Sequence, residues 1–123
     1  MATITEDYVS FETAKLLKEK GFPQSTFRCH YITDGNSHYK SFENRCGFGD
    51  NDIITPTLAM AMKWLREVHN IDIFPWKIGK GIYSCAIFNS NTGQDLSSNK
   101  DFPSEKYEVT CEAAMKYCLE NLI

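Results

Sequence analysis

"IDIFPWKIGKGIYSCAIFN", residues 71–89, sets two runs of apolar, β-branched and aromatic residues on either side of "GKG". Such residues suit a pleated, half-buried surface. Gly79 and Gly81 permit a tight reversal, because glycine adopts positive φ without a steric penalty. The stretch therefore predicts an antiparallel hairpin, and everything to either side of it is read as what such a hairpin packs with.

On the N-terminal side lie two amphipathic helices. Val9 and Ser10 supply an apolar N′ residue and a hydroxyl N-cap, and Phe11, Ala14 and Leu17 form one stripe. Gly21 stands where a left-handed C′ residue is wanted, Phe22 follows within reach of Leu17, and Pro23 prevents continuation. A helix over about residues 11–20 is predicted. A second opens with Thr55 as N-cap and Pro56 at its first position, carries Leu58, Ala61, Met62, Leu65 and Val68 on a buried face, and stops at Asn70. Between the two, "STFRCHYITDGNSHYKSF" (25–42) alternates, meets Asp34-Gly35 and resumes, which predicts another hairpin. "ENRCGFGDND" (43–52) reads as a loop.

On the C-terminal side, a short strand is expected through Leu96 after the turn "NTG". A last helix is predicted from near Ser104 to the chain end, with Tyr107, Cys111, Ala114, Cys118 and Leu122 on one stripe and Glu108, Glu112, Lys116 and Glu120 on another face. The expected fold class is α+β. Three helices pack on an antiparallel sheet made of two hairpins, in the order α-β-β-α-β-β-(β)-α, as a single domain over residues 1–123.

A weak internal repeat, 10–42 on 56–88, is a further expectation. Lys15 aligns with Lys63, Leu17 with Leu65, Lys18 with Arg66 and Glu19 with Glu67, and each helix precedes a hairpin. The same residues are also the ordinary vocabulary of amphipathic helices.

A chain of 123 residues buries roughly two thirds of its unfolded surface, enough for one core. No apolar run spans a bilayer and no leader is apparent, so neither a membrane nor secretion by that route is expected. Five cysteines, odd in number and set on apolar-patterned segments, suit a reducing cytoplasm. A net charge of -3 weighs against a protein devoted to holding nucleic acid.

The chemistry-bearing residues form no signature. Cys29, His30, His38 and Cys46 are zinc-compatible types, but strand neighbours point apart and neither CxxC nor HxxxH spacing occurs. "GFGDND" (47–52) lacks what a phosphate or calcium loop requires. Cys111 and Cys118, about 10 Å apart along a helix, are too distant to bridge and read as core packing. His69, in the last turn of the second helix, reads as a favourable charge near exposed carbonyls. No catalytic residue, metal or cofactor is expected. The candidate binding residues are Trp64, Trp76, Lys77 and Lys80, of which the last three put an aromatic and two cations on one hairpin. Trp76 also has a plainer reading, as cover for the core beside Phe74.

"YVSFETAKLLKEKGF" (8–22), "TPTLAMAMKWLREVHNI" (55–71) and "YEVTCEAAMKYCLENLI" (107–123) together resemble a family of small uncharacterised proteins encoded in gut bacterial genomes and in phages or mobile elements. The resemblance implies the same order of elements and a phage or prophage origin, and it carries no functional residue. Such proteins tend to read Tyr-Glu-Glu-Ala where this chain has Tyr107-Glu108-Val109-Thr110, a departure that loosens the helix start. The leading functional expectation is a non-enzymatic cytoplasmic module acting through a protein partner or self-association. The alternative is an accessory or regulatory protein that contacts nucleic acid through the basic, aromatic hairpin.

Overall fold

In the structure, a computed structural model, the described residues are 4, 7–24, 30–33, 36–38 and 52–123, with 30–33, 36–38 and 52 described in backbone alone. The class is α+β. Three helices and five strands are described, in the order α1 (Phe11–Glu19), β1 (His30–Thr33), β2 (Asn36–His38), β3 (Asp52–Thr55), α2 (Leu58–His69), β4 (Ile71–Gly79), β5 (Ile82–Asn89) and α3 (Tyr107–Asn121). The chain divides into two compact units, Met1–Leu58 and Ala59–Ile123.

In the first unit, α1 is closed at both ends by the local signals of its sequence. The Ser10 hydroxyl accepts from the Thr13 N–H at 3.3 Å. Gly21 takes φ +94°, which lets the Phe22 N–H reach the Leu17 carbonyl at 2.9 Å and the Gly21 N–H reach Lys18 at 3.2 Å, the paired bonds of a Schellman ending. Val9, Thr13, Ala14, Leu17, Phe22 and Ile54 are buried, and α1 packs on β3.

β3 corrects two expectations. The second helix was to open on Thr55 and Pro56, yet Thr55 is a fully buried strand residue and α2 begins at Leu58. Ile53, Ile54 and Thr55 are β-branched, and β3 pairs antiparallel with β1 from His30↔Thr55 to Thr33↔Asp52. Ladder pairing thus outweighs the helix-start signal. The second correction concerns the sheet: the strands form two ladders, β2-β1-β3 and β4-β5, where one sheet of two hairpins was expected. The Thr33↔Asn36 pairing closes the first hairpin, while Asp34-Gly35 and most of the 43–52 loop lie outside the described residues.

The second unit is built on the β4–β5 hairpin. Gly81, at φ +73°, turns the chain, and a register shift between Lys77 and Gly79 places Gly79 opposite Ile82. Asn70 takes φ 57° at the end of α2, the left-handed conformation its sequence position suggested. The outer edge of β5 is met by the following loop: Leu96 N–H donates to Ile87 at 2.7 Å and an isolated bridge joins Phe88 to Asp95, so a bridge stands where a short strand was expected. α3 covers one face of the hairpin with Cys111, Ala114, Met115, Cys118 and Leu119 buried.

α3 starts at Tyr107, three residues later than expected. Its N-cap is Lys106, whose side chain makes no cap hydrogen bond, and whose charge sits at the positive end of the helix. Replacing it with serine supplies an acceptor for the first-turn N–H groups. Lys106→Ser is expected to raise stability by about 1 kcal/mol, read as a higher urea midpoint at unchanged slope.

Candidate functional site

Alternation along a strand sorts the hairpin into two faces. On the first lie Ile71, Ile73, Pro75 and Lys77 of β4, opposite Asn89, Ile87, Cys85 and Tyr83 of β5. Ile71, Ile73, Cys85 and Ile87 are buried there under α3. On the second lie Phe74 and Trp76, opposite Ala86 and Ser84, with Ile82 at the turn end of the same β5 face.

This second face is apolar and is open around Phe74, Trp76 and the turn end, while Ser84 within it is buried. Phe74 is 56 % exposed, Trp76 51 % and Ile82 40 %, and Ile78 in the bulge is 44 %. Small partners across the ladder explain part of it, since Ala86 and Ser84 offer the aromatic rings little cover. The area involved is on the order of 300 Å², the size of the largest apolar patch on ordinary monomers and one often used for contact.

The free edge of the hairpin is blunted. Pro75 sits mid-strand on β4, opposite Cys85, and proline has no N–H to offer a further strand. Among the described residues, β4 pairs only with β5. An added strand would find its ladder interrupted at Pro75, so side-chain docking on the face is the easier mode of contact.

The predicted binding residues are only partly brought together. Trp76 is on the open face. Lys77 is on the helix-side face, with Nζ 5.8 Å from the centre of the Tyr83 ring, which in turn meets Tyr107 edge-on at 5.8 Å. Lys80 is exposed in the turn beside Gly81. Trp64 lies on α2, where its ring meets His69 edge-on at 4.7 Å. His69 is the last residue of α2, and its Nε2 is buried with no hydrogen-bond partner among the described residues.

Phe74, Ile78 and Ile82 were not singled out from sequence as binding residues. Their signal was the 74–76–78 alternation, masked because Ile71 and Ile73 make the other face equally apolar. Of the zinc-compatible set, Cys29 and Cys46 lie outside the described residues, and His30 and His38 are described in backbone alone. Among the described residues no helix is long and apolar enough to cross a membrane.

Comparison with protein-family models, curated proteins and solved structures finds no match.

Proposed function

We propose that the chain is a small non-enzymatic cytoplasmic module, of phage or mobile-element origin, that docks a protein partner or a second copy of itself on the open face of the β4–β5 hairpin. The observation that carries this reading is the exposure of Phe74, Trp76 and Ile82 side by side on one face. A central aromatic cluster of that kind supplies most of the energy in many interfaces, ringed by contacts that exclude water. The patch is smaller than the roughly 800 Å² each partner buries in a standard interface, so it forms the centre and the surrounding polar residues the rim. Pro75 favours docking on the face over strand addition. The three helical stretches that resemble phage-encoded proteins support the origin.

Nucleic-acid contact is the second reading, and it rests on Trp76 and Lys80. Lys77, which sequence placed with them, faces Tyr83 on the other side of the strand.

Light scattering behind size-exclusion chromatography tests the proposal, together with retention of partners from lysate on the immobilised chain. Expected are a mass that rises with concentration or a specific retained protein, either one insensitive to moderate salt. Both should vanish in a Phe74→Ser, Trp76→Ser double variant that keeps its circular dichroism. A strictly monomeric chain that retains nothing overturns the reading. Binding to a short DNA and RNA pool that collapses with salt and with Lys80→Glu would replace it with the second.

A further inference from the structure

The exposed part of the second hairpin face belongs mostly to β4. Ser84 of β5 is buried and Ala86 and Phe88 are half-buried, whereas Phe74 and Trp76 are more than half exposed and Ile78 nearly half. Taken at alternate positions, β4 and the turn after it read Asp72, Phe74, Trp76, Ile78 and Lys80. The order is acid, apolar, tryptophan, apolar, base. In reverse it is base, apolar, tryptophan, apolar, acid, so the row is complementary to itself turned end for end.

The fold fixes the two ends. Asp72 stands opposite Phe88, which is bridged to the exposed Asp95, so two carboxylates mark the end away from the turn. Lys80 is exposed in the turn itself, where its flexible four-carbon stem lets the ammonium reach over the face. Lys77 is on the opposite side of the strand with Tyr83 and adds no charge to the row.

We propose that the open face is covered by a second copy of the chain, in a two-fold dimer whose β4 strands run antiparallel across the interface, with Trp76 near the axis and Asp72 of each copy beside the partner's Lys80. This rests on the docking role of the face given above and names its occupant. Two-fold symmetry offers two ways to lay such a face on its copy. With the axis along the strands, position 72 meets 72 and position 80 meets 80, which sets like charges together. With the axis across the strands, 72 meets 80, 74 meets 78 and 76 meets itself, so opposite charges pair at both ends and the apolar side chains stack between them. Repulsion disfavours the first arrangement and attraction favours the second.

The surface this row requires opposite it is basic at one end, apolar over three positions and acidic at the other, and the chain itself carries that surface. Pro75 interrupts the edge of β4, so the copies stack faces and do not join ladders. The exposed end charges contribute little affinity and select the register, while the apolar centre supplies the energy. A contact of this size belongs with the transient ones.

Sedimentation equilibrium of the full chain, taken up to roughly millimolar concentration, reads the stoichiometry. A monomer–dimer equilibrium without larger species is expected, because two-fold symmetry closes the contact. Of the two indole N–H signals in NMR spectra, that of Trp76 is expected to move with concentration and that of Trp64 to stay. Asp72→Lys and Lys80→Glu each set like charges together at both ends and are expected to weaken the dimer roughly tenfold. The double variant exchanges the signs and is expected to return the dissociation constant to within about twofold of wild type. A chain that stays monomeric throughout overturns the dimer, and this wild-type result decides even where a variant fails to fold. If that monomer still retains a lysate protein through Phe74 and Trp76, the docking face stands with a foreign occupant; if it retains nothing, both fall. A dimer that persists in the Phe74→Ser, Trp76→Ser double variant also overturns both, since association then lies elsewhere. Single charge variants as tight as wild type, or a double charge variant weaker than either single one, overturn the antiparallel register.

Discussion

Ile87→Ala is expected to cost about 3 kcal/mol of folding stability, whereas Phe74→Ala on the adjacent strand costs about 1 kcal/mol. The two residues belong to one hairpin and differ in which face they occupy. Ile87 is fully buried, stands opposite Ile73, and lies on the side that α3 covers. Truncating it removes three carbons from a packed site whose walls, a strand pair and a helix, relax only partly. Phe74 is more than half exposed and opposite Ala86, so much of its surface is in water already and alanine leaves no closed cavity. Urea unfolding of the two variants reads the contrast as midpoint shifts at unchanged slope. Equal costs, or a larger cost for Phe74, would mean that the apolar face assigned to solvent is part of the core, and the docking proposal would fall with it.

That contrast is also where the sequence was least able to speak. Both faces of residues 71–78 are apolar, Ile71 and Ile73 on one and Phe74 and Trp76 on the other, so alternation alone cannot say which meets a helix. What was legible was local. Ser10, Gly21 and Phe22 write the two ends of α1 within one turn of each residue, and the hydrogen bonds follow them. Gly79 and Gly81 mark the β4–β5 reversal in the same way. What was missed depends on distance along the chain. β3 exists because Ile54 stands opposite Tyr31, a pairing across twenty-three positions that no local pattern announces, and Thr55-Pro56 imitates a helix start. The grouping of Trp76 with Lys77 failed for a reason the sequence did contain, because adjacent strand residues point to opposite faces. The meeting of Thr110 with Cys85, 3.7 Å from hydroxyl to sulfur, needed the fold, since helix spacing relates Thr110 only to its own neighbours.

Alkaline conditions are expected to remove about 4 kcal/mol of stability through Cys118 alone. Burial dominates its environment, a hydrogen bond with its own backbone opposes it in part, and the charge of Cys85 nearby adds to it; the net effect pushes the thiol from the ordinary value near 9 up to about 12. Burial penalises the thiolate and not the neutral thiol. Between these two values the unfolded chain gives up the proton while the folded chain keeps it, so the native state binds more protons and stability falls as pH rises. The contribution is intact below about pH 9 and declines by about 1.4 kcal/mol per pH unit until the folded thiol itself ionises near 12. Cys111 is displaced upward and Tyr107 likewise, the latter mainly by burial, so the wild-type decline is steeper than one group explains. Cys118→Ala isolates the share of one thiol. Its cavity lowers stability by an amount that does not vary with pH, whereas losing the ionisable group flattens the alkaline limb. Urea midpoints for both chains, measured at neutral pH and at steps through the window, are expected to converge as pH rises. Parallel declines would show that Cys118 ionises as readily folded as unfolded, and the buried, helix-covered side of the hairpin would have to be wetter than its packing implies.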